Sequence, residues 1–320
     1  MSLLLKVLVS AVLLAIICFQ VDWHDVLAAF WTIDWEWLLV AFLAFNLATV
    51  FSARRWQFLL AAIGAMGARI GTRPAVATTY VSLWFSNFLP TAFGGDIARV
   101  LTARRAGMHF PVAVSCALID RLLGLVTFVA LFFFVEAGLS LAGFEGPMLP
   151  LASILFLGFV AAYFVVWVGT RVRVPRRWLR YRFTRYLARA VRVVASLGTR
   201  PTCLQGALVA SMLSTMMSIV AYWGAIRCVS AGVGISVAVT ASVLGILASA
   251  LPVSLSGWGV REGTVAMVLM QSGFLAPGEA SLIALLNATV IAATSLVGLV
   301  VSIVVDWRRS DVMPNGAHGT

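Results

Sequence analysis

The sequence predicts an all-α polytopic membrane protein, with six full spans plus two re-entrant hairpins arranged as an inverted repeat. Of its 320 residues, 62% are hydrophobic and only 11% are charged, whereas soluble domains carry roughly 25% charged residues. Long apolar runs alternate with short polar connections, as in chains that cross a bilayer repeatedly. Two glycine-rich breaks, at 89–99 and 251–262, each begin with Leu-Pro inside hydrophobic surroundings.

The charged residues exclude several classes of protein. The net charge of +11 comes from 22 arginines and a single lysine, Lys6. No Walker A lysine exists beyond that position, so the chain cannot be its own P-loop ATPase. The four cysteines are spaced neither as a disulfide framework nor as a zinc site, and the three histidines are scattered. We therefore expect no metal, no cofactor and no catalytic residues.

Apolar runs define the elements of the N-terminal part. Residues 3–20 form a first span, which we take as retained because no small-x-small cleavage site follows it. The acidic, Trp-rich stretch at 22–36 predicts an interfacial helix, and 35–52 predicts a second span ending before Arg54-Arg55-Trp56. The run at 75–90 is also apolar, but its 16 residues are few for a full crossing.

The remaining runs complete the set of hydrophobic elements. Residues 111–135 and 148–170 are long enough for the third and fourth spans. A fifth span is predicted at 203–226 and a last one at 280–305, with two shorter runs between them at 235–251 and 263–274.

The distribution of arginine decides the topology, because cytoplasmic loops carry an excess of Lys and Arg. If residues 75–90 crossed fully, the ten arginines between 171 and 200 would lie outside. We therefore expect 75–106 to dip in from the cytoplasm and 235–275 to dip in from the exterior, with both termini cytoplasmic. The loops then assigned outside, 22–36 and 136–147, contain no Lys or Arg. Arg227 is the exception, and we expect it to snorkel at the outer interface.

This topology predicts one transmembrane domain over 1–320, divided in a set order: a first inverted half (1–147), a connecting span with a basic cytoplasmic loop (148–200), a second inverted half (201–309) and a cytoplasmic tail (310–320). In the basic loop, arginines recur at helical steps from Arg173 to Arg192. That spacing predicts an amphipathic helix on anionic cytoplasmic lipid. A simple topology anchor is the plainer alternative.

The two breaks predict the functional site. Aligned on their prolines, Gly95 matches Gly257 and Arg99 matches Arg261. A charged residue at the centre of a spanning helix costs about 2.5–3.5 kcal/mol on insertion scales. Three acid–arginine groupings occur at this depth: Asp96 with Arg99, Asp120-Arg121 and Arg261-Glu262. We therefore expect them to form salt bridges that hold the hairpins together, to line a polar cavity, or to do both. Arginine suits a phosphate through its bidentate fork, and glycine exposes backbone N–H groups.

The candidate substrate-binding residues are Arg55, Asn87, Pro90, Gly94, Gly95, Asp96, Arg99, Asp120, Arg121, Ser256, Gly257, Gly259, Arg261 and Glu262.

These motifs together carry a family resemblance. The chain resembles the lysylphosphatidylglycerol synthase transmembrane family in four motifs. They are Arg55-Trp56, the run Asn87-Phe88-Leu89-Pro90 leading to Gly94-Gly95-Asp96 and Arg99, the pair Asp120-Arg121, and LPVSLSGWGVREG. This is the flippase-like domain of the bacterial multiple peptide resistance factor, and the resemblance covers nearly the whole chain. It implies a multi-pass protein of the bacterial inner membrane that moves lipids between leaflets. The lysine-transferring domain has no counterpart in these residues, so we expect no synthase activity. Asp96 stands where the family often has glutamate.

Three functions compete. The leading hypothesis is a flippase in which Arg99, Arg121 and Arg261 hold a lipid phosphate while one inverted half rocks against the other. Asp96, Asp120 and Glu262 would balance charge or carry protons.

The alternatives are an intramembrane enzyme acting on a lipid or lipid-linked sugar, with outer acids such as Asp22 and Asp25, and a scaffold for a lipid-modifying partner. The expected partners are membrane lipids, a lipid-modifying enzyme and a second copy of the chain as a homodimer, and no nucleic acid.

Overall fold

Every element of regular structure in the described part of the chain is α-helical, which confirms the predicted class. The computed structural model describes residues 31, 33–63, 70–88, 94–142, 148–171, 200–250 and 257–304. The helices within these ranges are α1 Trp35–Ile63, α2 Thr72–Phe88, α3 Gly94–Arg105, α4 Phe110–Leu141, α5 Leu149–Arg171, α6 Pro201–Arg227, α7 Ile235–Ala250, α8 Val260–Gln271 and α9 Pro277–Val304. The predicted span at 3–20 and basic helix at 173–192 lie outside the described residues.

Four of these helices are long and apolar enough to cross a membrane: α1, α4, α6 and α9. They coincide with spans predicted from the apolar runs, because a bilayer accepts backbone only when its N–H and C=O groups are paired within the helix. The predicted end of the second span is wrong. Helix α1 continues through Arg54-Arg55 to Ile63, since Arg55 is buried and its charge is met inside the protein.

The helices flanking each Leu-Pro break form an antiparallel pair. In the first pair, Thr78 of α2 donates a hydrogen bond to Thr102 of α3 (3.3 Å), and Ser82 donates to the carbonyl of Gly95 (2.8 Å). Advancing along α2 therefore means going back along α3. In the second pair, Gly245 of α7 lies against Val265 of α8, and the later Ser249 of α7 lies against the earlier Gly257, which gives the same antiparallel sense.

The short helices of these pairs cannot span a bilayer alone. Helices α3 and α8 have 12 residues each, which makes them about 18 Å long, while the hydrocarbon core is about 30 Å thick. The described part of helix α2 ends at Phe88, two residues before Pro90.

Contacts divide the chain into two compact units. In the described part of the chain, the first unit comprises residues up to 50 together with 79–98 and 213–304, and its core packs Tyr222 and Ile226 against Val265, Leu269 and Ile283. The second unit comprises 51–78 and 99–212.

The second unit has a core of its own, in which Trp56, Leu59 and Leu60 of α1 pack with Val100 of α3 and Cys116 of α4. Each unit draws on separate stretches of the chain, and the predicted division into halves at 1–147 and 201–309 stays a prediction.

Candidate functional site

One buried carboxylate organises the charged residues of the second unit. Asp120 lies in α4 with no solvent exposure, and Arg55 of α1 and Arg99 of α3 both pair with it. These three side chains are called the Asp120 cluster below. Each arginine is about nine-tenths buried, so none of the three charges is solvated by bulk water.

The hydrogen bonds of the Asp120 cluster use both carboxylate oxygens. Arg55 donates from Nε to Oδ1 (2.7 Å) and from Nη2 to Oδ2 (3.1 Å), the bidentate fork typical of arginine. Arg99 donates from Nη1 to the same Oδ2. Two guanidinium groups thus share one carboxylate, and the formal charge of the cluster is +1 (two minus one). The buried Nε of Arg99 has no hydrogen-bond partner.

Hydroxyl groups that were not predicted from the sequence surround the arginines of the cluster. Arg55 donates to Ser211 of α6 from Nη1 (3.2 Å) and to Ser52 from Nη2 (3.3 Å). Ser211 in turn shares a hydrogen bond with Thr127 of α4 (2.9 Å). Only Ser52 left a sequence signal, because it precedes Arg55 by three residues and so lies on the same helix face.

Gly124 makes room for the Arg55 side chain. It follows Asp120 by one helical turn, and a Cβ at this position would lie 3.0 Å from Nη1 of Arg55. Contacts this short are rare between a Cβ and another heavy atom. A glycine here therefore lets the guanidinium lie flat against α4.

The partners within the cluster differ from those grouped by sequence. The sequence placed Asp120 with Arg121 and Arg99 with Asp96, but the structure brings Asp120 to Arg55 and Arg99. Consecutive residues of an α-helix point about 100° apart, so Asp120 and Arg121 face different neighbours. Arg121 and Asp96 are both half-buried.

The predicted pair Arg261-Glu262 is found in the first unit. Arg261 donates to Oε1 of Glu262 from Nε (2.9 Å) and Nη2 (2.6 Å). The other oxygen, Oε2, accepts the backbone N–H of Gly259 (2.8 Å), which caps α8. Gly259 has a φ of 83°, a value that favours glycine. The guanidinium also lies over the ring of Trp258, with Cζ 5.4 Å from the centroid.

Residues beside the two breaks meet in the first unit. Trp258, within the second break, donates from its indole N–H to the backbone carbonyl of Asn87, just before the first break (3.0 Å). The Asn87 side chain donates to Ser295 of α9 (2.6 Å). The sequence predicted Asn87 but missed Trp258 and Ser295. A lone tryptophan or serine gives no signal of its partner in an apolar chain.

The matched glycines of the two breaks occupy equivalent packing positions. A Cβ on Gly95 would lie 2.4 Å from the carbonyl oxygen of Ser82 in α2. A Cβ on Gly257 would lie 2.7 Å from the side chain of Ser249 in α7, and its φ is 83°. Each glycine thus presses against the preceding helix of its own pair. Gly94 is buried at the start of α3, and the predicted residues Pro90 and Ser256 lie outside the described ranges.

The chemistry available to these residues is binding through donors. Over the residues that the structure describes, no group of three or more His, Cys, Asp or Glu side chains could hold a metal ion. Burial, with the nearby Asp34 carboxylate, raises the pKa of the Cys228 thiol to about 12, so this thiol stays protonated at neutral pH. Guanidinium groups have donors and no acceptors. The arginines can therefore hold an oxyanion such as phosphate.

Comparison with known proteins identifies one family. The model of the family described as "Lysylphosphatidylglycerol synthase TM region" matches residues 3–304, nearly the whole chain. No curated protein matches the sequence.

Proposed function

Because the chain belongs to the lysylphosphatidylglycerol synthase transmembrane family, we propose that it is a lipid flippase. Its substrate is a phosphate-bearing lipid, with or without an aminoacyl or sugar group, which it moves between the leaflets of the bacterial inner membrane. It moves this lipid without changing it covalently, and it is therefore a transporter and not an enzyme. The family and the four membrane-spanning helices support a role at membrane lipids.

The excess positive charge of the Asp120 cluster carries this proposal. A buried charge without a counter-ion costs several kcal/mol, and the cluster holds two guanidinium groups for one carboxylate. A phosphate oxygen arriving beside Arg99 would neutralise that excess and would meet a donor, Nε, that has no partner in the protein. If the cluster only held helices together, equal numbers of acids and arginines would stabilise the fold more, because no net charge would then be buried.

Each member of the cluster has a distinct role in the proposal. Asp120 holds the two guanidinium groups at a fixed separation, and Arg55 is committed to Asp120 through its bidentate fork. Arg99 donates to Asp120 only through Nη1, and its other bond, from Nη2 to Ser52, is long at 3.5 Å. Arg99 is therefore the residue that turns towards the phosphate.

Arg261 is the matching contact of the second hairpin. Its Nε and Nη2 both donate to Glu262, so Nη1 is the guanidinium nitrogen available to a ligand. This pair is neutral, unlike the Asp120 cluster, and we propose that it binds phosphate more weakly.

The proposal includes the topology expected from the sequence. Both helix pairs are re-entrant, the first from the cytoplasm and the second from the exterior, and the two halves are inverted copies within six full spans. Support comes from the antiparallel course of each pair and from the 12-residue length of α3 and α8. A pair that enters and returns leaves its two outer ends on one side, as the distribution of arginine requires.

Lipid translocation in proteoliposomes tests the function. Arg99→Gln removes the excess charge but leaves Arg55 and Asp120 as a neutral, bidentate pair, so the fold should survive while translocation of a fluorescent phospholipid falls at least about tenfold. Arg104→Gln is the matched control, because it lies in the same helix and is exposed. Size-exclusion elution checks folding. Full translocation by folded Arg99→Gln would refute the proposed role of the cluster, and release of a modified lipid would favour the enzyme alternative.

A further inference from the structure

A second arginine site lies at the C-terminal end of α6 and shares no side chain with the Asp120 cluster or the Arg261-Glu262 pair. The guanidinium of Arg227 lies over two tryptophan rings of the first unit, with Cζ 5.2 Å from the centroid of Trp37 and 5.7 Å from that of Trp223. The two rings meet edge to face with centroids 5.5 Å apart. Arg227 also donates from Nη1 to the carbonyl of Ala231. All three aromatic and cationic side chains are partly exposed.

Donors outnumber acceptors at this place. The Nε of Arg227 and the indole Nε1 of Trp223 are both buried and have no hydrogen-bond partner in the part of the chain that the structure describes. Guanidinium and indole N–H groups can only donate, so the missing partner is an acceptor. The nearby Asp34 is exposed, its backbone N–H donates to the carbonyl of Cys228 (3.0 Å), and its carboxylate Oδ1 accepts the backbone N–H of Glu36 (3.0 Å). Among the described carboxylates, none forms an ion pair with Arg227.

The position along the helix indicates where the acceptor comes from. Arg227 is the last residue of α6, which is long and apolar enough to cross a membrane, and the end of a helix that spans a bilayer is where the lipid headgroups lie. Trp31 and Trp35, which precede Trp37 in the chain, are exposed by 83% and 59%. Tryptophan is enriched at this depth because its ring is apolar and its N–H is polar.

We propose that Trp37, Trp223 and Arg227 form a binding site for the phosphate of a glycerophospholipid. The two rings hold the guanidinium by its face, which leaves its edge to donate to phosphate oxygens. The indole N–H of Trp223 donates to an oxygen of the same headgroup. Binding requires only a rotation of two partly exposed side chains. The site holds a resident lipid, and it does not depend on translocation by the Asp120 cluster.

Lipid binding by the purified full-length chain tests this site. Native mass spectrometry would measure the affinity for dihexanoyl phosphatidylglycerol and for dihexanoyl glycerol, which lacks the phosphate, with inorganic phosphate as a competitor. We expect the phospholipid to bind at least about tenfold more tightly than the phosphate-free lipid, because hydrogen bonds to charged groups are the strong ones. Weak competition by millimolar inorganic phosphate would identify a lipid as the ligand, and full competition would overturn that identification.

Variants assign the binding to these residues. Arg227→Gln should weaken phospholipid binding about tenfold, and Trp223→Phe, which keeps an aromatic ring but removes the indole N–H, about fivefold. Arg104→Gln is the matched control, because that arginine also lies over an aromatic ring, Phe110, with Cζ 5.8 Å from its centroid. Equal affinities in all four proteins would overturn the site. This assay measures binding and not translocation. A negative result would therefore refute the Arg227 site without bearing on the role proposed for Arg99, and a negative translocation result would not bear on the Arg227 site.

Discussion

Replacing Asp120 with asparagine should lower the free energy of unfolding of the second unit more than any single arginine substitution in the same cluster. The change keeps the size of the side chain and removes its charge. Asp120 has no solvent exposure and accepts two hydrogen bonds from Arg55 and one from Arg99. With an amide in its place, one of the two acceptor atoms becomes a donor that faces the guanidinium groups.

The size of the effect follows from what remains buried. Removing one partner of a buried ion pair costs about 3–5 kcal/mol, because the other charge is left uncompensated. Asp120→Asn leaves two such charges close together, so we expect a loss in the free energy of unfolding at the upper end of that range. Arg99→Gln leaves the neutral pair of Arg55 and Asp120, so its loss should be smaller, about 1–3 kcal/mol.

Unfolding by denaturant in mixed micelles, followed by circular dichroism, gives both values. The double variant Arg99→Gln with Asp120→Asn completes a double-mutant cycle and isolates the coupling between the two side chains. The double variant should lose less than the sum of the single losses, because only one guanidinium then stays uncompensated. If the free energy of unfolding of Asp120→Asn is within about 1 kcal/mol of that of the unmodified protein, or if the cycle shows no coupling, the buried ion pairs do not stabilise this unit.

Three further predictions follow from other parts of the fold. Gly95→Ala should lower the free energy of unfolding by about 1–3 kcal/mol in the same assay, because its Cβ would overlap the backbone of α2. Gly138→Ala, where nothing lies within 4 Å, should not lower it, and equal losses would contradict the close packing of the hairpin. A single cysteine in place of His109 should react with an impermeant maleimide from the cytoplasmic side, and one in place of Ala276 from the outer side; both positions are exposed. Labelling of both cysteines from the same side would contradict the inverted repeat. Arg261→Lys should fold normally yet reduce lipid translocation severalfold, since a compact ammonium cannot keep the two donations to Glu262 and also offer a third donor to a phosphate. Unchanged translocation would show that any positive charge suffices.

Labelling at His109 is preferable to labelling at the neighbouring Gly107. Gly107 has a φ of 89°, a backbone conformation that an L-residue with a side chain adopts only at a cost. A cysteine there would strain the turn between α3 and α4. His109 has extended backbone, with φ at −65° and ψ at 139°, and accepts any residue.

The sequence by itself determined the class of the protein, its family and most of its helices. Apolar runs predict spanning helices reliably because the bilayer leaves the backbone few alternatives. Proline and glycine mark the two breaks for equally local reasons. The pair Arg261-Glu262 was also readable, since the carboxylate caps its own helix and the partners are neighbours in the chain.

Only the tertiary structure decided which charges meet. Arg99 and Arg261 match in sequence, yet Arg99 pairs with Asp120 of another helix, and Arg261 pairs with its own neighbour. Helical periodicity reports the face on which a residue lies, but the helix that covers this face depends on packing between segments distant in the chain. Ser52, Ser211 and Thr127 join the cluster for the same reason. A hydroxyl in an apolar helix bonds to whichever neighbour packing supplies, so its partner cannot be read from the sequence alone.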